Sequence, residues 1–296
     1  MDQRRRRGLR WLSTRPLGQV WALLAPGGLW LVIFFLAPLG IVLAYSLMPR
    51  GTYGGVEPGF TLEHYARFFD PLYLDVLRRT FLWSLACTAI CLLVGYPVAY
   101  VIARSGRWRN VLLLLVVVPF WTSFLVRTFA LIFLLRDTGL INDWLLQLGL
   151  IDKPLTILYT PAAVMIGLVY GFLPFMILPI YAALEKLDLS LLEAAEVLGA
   201  RPWSRFRRVT LPLSLPGVVA GSLLVFIPAL GSFLTPDLLG GAKQMMIGNL
   251  VQNQFAAARN WPFGSAASLI VMLLVLIAVS LYLRLQDGEG ATRPLR

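Results

Sequence analysis

Histidine and cysteine are rare in this sequence. Its 296 residues include one histidine, His64, and two cysteines, Cys87 and Cys91. Structural zinc sites, cysteine–histidine catalytic pairs and disulfide frameworks all need more of these side chains. The two cysteines are four residues apart within an apolar run, so we expect them to lie on one face of a helix as small packing residues. We therefore expect no metal site and no catalytic residues in this chain.

Charged residues are also few, at 14%, whereas 58% of the residues are hydrophobic and the mean hydropathy is +0.75. A soluble domain is closer to about half apolar and about a quarter charged. An ordinary globular core cannot bury so much apolar surface, so lipid is the solvent that suits this chain. The composition predicts a membrane protein.

A phosphate-binding loop of the type G-x-x-x-x-G-K-[ST] is absent, so any nucleotide must be bound by another chain. The formal net charge of +11 would suit a nucleic-acid partner, but the Lys and Arg residues form short clusters between long apolar runs. Such clusters are typical of loops held on the cytoplasmic side of a membrane. We expect no bound cofactor in this chain and no nucleic-acid partner.

Six stretches are long and apolar enough to cross about 30 Å of hydrocarbon as helices, which predicts an all-α fold. They cover residues 21–48, 76–103, 111–135, 158–183, 211–235 and 264–284. Lys and Arg are more frequent in the connections that face the cytoplasm when the N-terminus is inside, so we predict both termini there. The predicted organisation is a basic N-terminus at 1–20, a six-helix transmembrane domain at 21–285 and a cytoplasmic tail at 286–296.

Proline and glycine recur within these spans. Pro119 lies in the third span, where it removes a backbone donor and tends to kink a helix. Gly217 and Gly221 form a G-x-x-x-G pair in the fifth span, which lets another helix approach closely. Together these features favour a packed bundle around a polar path over a simple membrane anchor.

Residues 185–212 are too polar to span a membrane but carry a helical pattern. Asp188 or Ser190 can cap a helix, and apolar residues follow at helical spacing. Gly199 permits a left-handed stop, and Pro202 suits the first position of another helix. We predict two short helices joined at a glycine and lying against the inner face of the membrane.

The same segment resembles the EAA loop of permease subunits of ATP-binding-cassette importers. That family's pattern is E-A-A, three residues, G, nine residues and I-x-L-P. The matching positions here are Glu193, Ala194, Ala195, Gly199, Leu211 and Pro212, with Val209 in place of isoleucine. The resemblance implies that a loop at about 185–210, between helices four and five, forms the coupling helix that docks on an ATP-hydrolysing subunit.

A wider resemblance narrows the branch of this family. The runs FTLEHYARFFDP (60–71), GYPVAY (95–100), LPFMILPIYAALEKLD (173–188), FIPALGSFLTPDLLGG (226–241) and ARNWPFGSA (258–266) look like permeases of the spermidine/putrescine importer type. This resemblance implies polyamine transport in a bacterial cytoplasmic (inner) membrane. The implied partners are a second, different permease subunit, two ATPase subunits that bind the ATP, and an extracytoplasmic solute-binding protein.

Six residues are candidates for a substrate path. They are Phe120, Trp121, Arg127, Tyr170, Phe226 and Asp237. Aromatic faces and a carboxylate attract a cation, although ordinary bundle packing also explains the aromatic residues. Arg127 is the only charged residue well inside a predicted span, and beside a cationic solute it would serve as a structural ion pair or a charge barrier.

Two other functions remain open from the sequence. One is an ATP-driven permease for another small cationic or organic solute. The other is a secondary transporter driven by an ion gradient, which usually carries acids near the membrane centre or inverted repeats. Neither feature is evident in this sequence.

Overall fold

The computed structural model describes the backbone of residues 17–241 and 243–290 and the side chains of residues 24–241 and 243–280. The predicted basic N-terminus (1–20) and tail (286–296) therefore lie largely outside the described residues. Within those residues the regular structure is helical, apart from one isolated bridge between Arg50 and Val56. The predicted all-α fold class is confirmed.

Fourteen α-helices are present in the described part of the chain. In order they are α1 Leu17–Leu31, α2 Ala37–Ser46, α3 Glu63–Phe68, α4 Pro71–Arg104, α5 Arg109–Val117, α6 Phe124–Leu135, α7 Leu140–Gln147, α8 Pro161–Glu185, α9 Leu189–Val197, α10 Pro202–Arg205, α11 Leu211–Leu230, α12 Leu234–Gly240, α13 Ile247–Phe255 and α14 Trp261–Gly290.

Five helical segments are long and apolar enough to cross a membrane by themselves. They are Leu24–Ser46, Pro71–Arg104, Pro161–Glu185, Pro202–Leu230 and Trp261–Ser280. Each matches one of the predicted spans, with ends that differ by several residues. Such differences are expected, because hydropathy locates the apolar centre of a helix better than its polar ends.

The third predicted span, 111–135, is not one continuous helix. The segments Gly106–Trp121 and Phe124–Gln147 meet at a bend of 95°, and they make a sixth span only if the bent pair counts as one. Pro119 lies in a 3₁₀ turn just before the break, and Ser123 has an extended backbone with ψ 139°. The missing proline N–H removes one hydrogen bond of the helix, and Ser123 restarts the helix in a new direction.

Two π-helical turns each precede a proline, and the sequence did not reveal them. Val32–Leu36 leads into α2, which holds Pro38 in its first turn, and Phe206–Thr210 leads into α11, which holds Pro212 there. A proline ring inside a helix clashes with the carbonyl group four residues earlier. A π turn widens the helix locally, so the chain continues as a helix through the proline.

The chain divides into two compact units, one formed by the segments up to Phe68 and from Ala257 onward, and the other by Phe69–Ala256. The second unit is built on α4, α8 and α11. Cys87 and Cys91 are both free and fully buried in its core, as expected for packing residues. In the first unit, His64 contacts the carbonyl oxygen of Met48 through Nε2 at 3.1 Å, which is a structural role.

Candidate functional site: the loop between Glu185 and Leu211

The loop helix α9 begins with a side-chain cap. The backbone N–H of Ser190 donates to Oδ1 of Asp188 at 2.9 Å, so Asp188 rather than Ser190 is the N-cap. This backbone hydrogen bond, together with a contact to the Ser190 side chain, holds the pKa of the Asp188 carboxyl below its usual value. The cap fixes where α9 starts relative to the end of α8.

The helix α9 ends at Gly199 in a Schellman motif. Gly199 has a left-handed backbone with φ +78°. Its N–H donates to the carbonyl of Glu196 at 2.8 Å, and the N–H of Ala200 donates to the carbonyl of Ala195 at 3.0 Å. These two bonds satisfy carbonyl groups that the helix end would leave unpaired. The predicted glycine stop is confirmed.

The second predicted short helix is not a separate element. Pro202 occupies the first turn of α10, as the sequence indicated, but α10 passes through the π turn into α11. Leu211 is half-buried and Pro212 is exposed at the start of α11. The loop is therefore one capped helix, a glycine turn, and the first turns of a long helix that runs from Pro202 to Leu230.

One face of α9 is exposed to solvent and partly apolar. Glu193 and Ala194 are exposed, Ala195 is half-buried, and Leu192 is buried. Val197 and Leu198 are each 87% exposed, so the described residues leave two large apolar side chains mostly uncovered. A helix surface with exposed acids, small residues and exposed apolar groups suits contact with another protein.

An ion pair crosses the glycine turn between Glu196 of α9 and Arg205 of α10. Beside it lies a cleft of about 520 Å³, lined by Ala195, Leu198, Gly199, Ala200, Arg201, Ser204, Arg205, Arg208 and Val209. Sequence reasoning missed this pair, because the two residues are nine positions apart across a turn and share no helical spacing. The pair links α9 and α10 across the turn.

The predicted path residues fall into separate groups. The Arg127 guanidinium carbon lies 4.2 Å from the ring centre of Phe120, which contacts Phe175 edge-on at 5.7 Å. Phe226 instead contacts Phe81 edge-on at 5.4 Å. Thus only Phe120 and Arg127, among the six candidates, are joined by a ring contact in the described structure.

The remaining candidates are surface residues of the second unit. Trp121 is 76% exposed beside the helix break, and Tyr170 is exposed on α8. Asp237 is exposed in the first turn of α12.

Arg127 makes no ion pair with any described residue. Its Nε and Nη1 atoms are buried without a hydrogen-bond partner, and its charge faces the rings of Phe120 and Phe124. A guanidinium over an aromatic face gains a cation–π attraction, but this does not replace hydrogen bonds. A structural ion pair within the described chain is therefore not formed, and the charge-barrier alternative remains.

A family profile and a similar transport protein both match most of this chain. Residues 92–288 match the profile of the binding-protein-dependent transport system inner membrane component. The spermidine/putrescine transport system permease protein PotB of Salmonella typhimurium (strain SL1344) is 45% identical over 256 residues, which is 86% of this chain and 89% of that protein.

Two solved structures share the fold. The first, a bacterial ABC transporter involved in the import of the acidic polysaccharide alginate, has a TM-score of 0.70 at 19% identity and covers 94% of this chain and 98% of that one. The second is a bacterial alginate ABC transporter in complex with an alginate pentasaccharide-bound periplasmic protein. It has a TM-score of 0.68 at 20% identity and covers 89% of this chain and 92% of that one.

Proposed function

The chain belongs to the family of binding-protein-dependent transport system inner membrane components, and we propose that it is the permease subunit of an ATP-driven importer for polyamines such as spermidine and putrescine. The observation that carries the substrate class is the 45% identity, over 86% of this chain, to a spermidine/putrescine permease. The alginate transporters support the fold alone, because their identity is near 20%.

Transport by this chain requires partners. The sequence has no phosphate-binding loop, so ATP is bound by two separate ATPase subunits. A second permease subunit completes the translocation path, and an extracytoplasmic binding protein delivers the solute. The solved complex of a related fold with a periplasmic protein supports the last of these partners. Both chain termini lie in the cytoplasm in this arrangement.

The coupling role is assigned to the exposed face of α9. Glu193 pairs with a basic group of the ATPase subunit, and the short side chains of Ala194 and Ala195 allow close helix docking. The glycine turn at Gly199 and the ion pair at Arg205 join α9 to the long helix that starts at Pro202. This connection passes the closure of the ATPases into that helix, through Leu211 and Pro212.

The solute path is assigned to the second unit. Phe120, Trp121, Tyr170 and Phe226 offer aromatic faces for a cation, and Asp237 offers a carboxylate. Arg127 acts as a positive barrier that limits how cations pass. Asp237 is the only acid among the proposed path residues, so the second permease subunit and the binding protein supply most of the selectivity for a polycation.

The test is ATP hydrolysis by the reconstituted complex of this chain, its partner permease, the ATPase and the binding protein, with and without spermidine or putrescine. We expect stimulation by polyamine that Glu193→Ala abolishes and that Asp152→Ala, at an exposed acid away from the loop, preserves. Assembly without a polyamine response would remove the substrate assignment. A Glu193→Ala complex with wild-type coupling would remove the docking role.

A further inference from the structure

We propose that Phe206 is the residue through which movement of the coupling loop reaches helix α4, so that α4 and α11 move together. This proposal rests on the coupling function proposed above and names the contact that spreads the motion beyond the helix carrying the loop. Phe206 is a positioning residue, since it acts through other side chains and not on the solute.

Phe206 lies between the loop and the last turns of α4. It is the first residue of the π turn that joins α10 to α11. Its ring meets that of Tyr96 edge-on, with centroids 5.6 Å apart and planes at 89°, and that of Tyr100 at 6.5 Å and 81°. It also stacks on Trp203, with centroids 5.4 Å apart. Edge-on aromatic pairs are directional, so displacement of this ring acts directly on both tyrosines.

A hydrogen bond fastens the same two helices a little further along. The hydroxyl groups of Tyr96 and Ser214 are 2.8 Å apart and buried. Ser214 also donates through Oγ to the carbonyl of Leu211 at 3.1 Å, which fixes its rotamer. Tyr96 thus contacts the loop through its ring and α11 through its hydroxyl. Two attachment points on one side chain resist sliding between α4 and α11.

The loop offers a direct route by which a displacement of α9 reaches Phe206. The Schellman bonds at Gly199 define how α9 ends, and the ion pair between Glu196 and Arg205 links α9 to α10. Arg205 immediately precedes Phe206 in the chain. A displacement of α9 is therefore passed through α10 to the Phe206 ring.

Direct packing between α9 and α4 is incomplete. A cavity of about 130 Å³ is lined by residues of both helices and of the segment that joins the loop to α11: Leu192, Tyr100, Arg104, Pro202, Arg205, Phe206 and Thr210. Leu192 and Tyr100 both line this pocket, while the ring of Phe206 contacts the ring of Tyr100. Phe206 lines this pocket, and its ring contacts Tyr96 and Tyr100 of α4, so it connects the loop with α4.

The experiment compares Phe206→Leu with the wild type in the reconstituted complex, and measures both solute transported and ATP hydrolysed. We expect the transported solute per ATP to fall by about fivefold or more, the lower end of the range typical of coupling between sites. Phe206→Tyr keeps the ring and should keep the ratio. Trp108→Leu removes an exposed aromatic residue just beyond α4 and should also keep it.

A second measurement follows the motion itself. Nitroxide labels at exposed positions 107, beyond the end of α4, and 201, in the loop, report whether the two move together. The native cysteines are fully buried and do not compete for the label. On ATP binding the label distance should stay constant in the wild type and change in Phe206→Leu. If Phe206→Leu fails to assemble, Phe206→Met replaces it in both assays.

The outcomes separate this proposal from the one on which it rests. Equal transport per ATP and an unchanged label distance in the wild type and the ring-deleted variant would overturn the role of Phe206 alone. Absence of ATPase assembly or of any coupled hydrolysis in the wild type would overturn the importer function and this role together. A loss in Phe206→Leu that Phe206→Tyr does not share would support the proposal.

Discussion

Gly217 packs against Pro179 so closely that a Cβ atom at Gly217 would lie 2.6 Å from the carbonyl oxygen of Pro179. A Cβ atom at Gly217 would also lie 2.6 Å from the Cβ atom of Ala183. A Cβ atom at Gly221 would lie 2.9 Å from Sδ of Met176. The G-x-x-x-G pair of the fifth span therefore forms the crossing of α11 with α8, where small residues let two backbones meet.

Gly217→Ala should destabilise the assembled protein. Backbone atoms of α8 cannot move aside cheaply, so the added methyl group costs about 1–3 kcal/mol of unfolding free energy. The measurement is thermal unfolding of the purified complex. Gly40→Ala is the matched control, because a Cβ there meets nothing within 4 Å and alanine favours a helix. Equal stability of the two variants would contradict the close crossing.

Gly199→Val should uncouple ATP hydrolysis from transport while the complex still assembles. A Cβ at Gly199 meets nothing within 4 Å, so the cost comes from the left-handed backbone, at about 1–2 kcal/mol. The end of α9 then shifts away from its Schellman geometry. Gly199→Asn is the control, since asparagine tolerates this conformation. Wild-type uptake per ATP in Gly199→Val would count against a rigid turn.

Arg127→Gln should lower the KM for polyamine uptake. Two unit charges about 15 Å apart interact by about 1 kcal/mol at an effective dielectric of about 20, which corresponds to about a fivefold change. Arg127→Lys keeps the charge and should keep the wild-type KM. An unchanged or higher KM in Arg127→Gln would contradict the charge barrier. Uptake kinetics in proteoliposomes supply the measurement.

The cap of α9 should weaken in acid. The pKa of Asp188 lies below its usual 3.8 in the folded protein, so its charge stabilises the helix above that pH, and the effect is lost as the pH falls through the lowered value. Hydrogen-exchange protection at the start of α9 should therefore decrease when the pH is lowered from 3.8 through the pKa of the folded state. Asp188→Asn still caps the helix but carries no charge, so its protection should not show this pH dependence.

The apolar spans, the helix that Asp188 caps and its glycine end were predictable from local information. A run of about 20 apolar residues identifies a helix in lipid regardless of its neighbours, and Gly199 and Pro202 have local conformational preferences that determined their places. The bend near Pro119 and the π turn before Pro212 were not predictable. A proline indicates a disturbance, but whether the helix breaks, kinks or widens depends on what surrounds it.

The sequence by itself determined the family, the number of apolar stretches and the glycine end of the loop helix, because each depends on composition or on residues near one another in the chain. Only the tertiary structure decided which side chains meet across helices. The contacts of Phe206 with Tyr96 and Tyr100, the ion pair of Glu196 with Arg205 and the unpaired nitrogens of Arg127 depend on how helices cross. Those crossings are set by packing of the whole bundle, which no local pattern encodes.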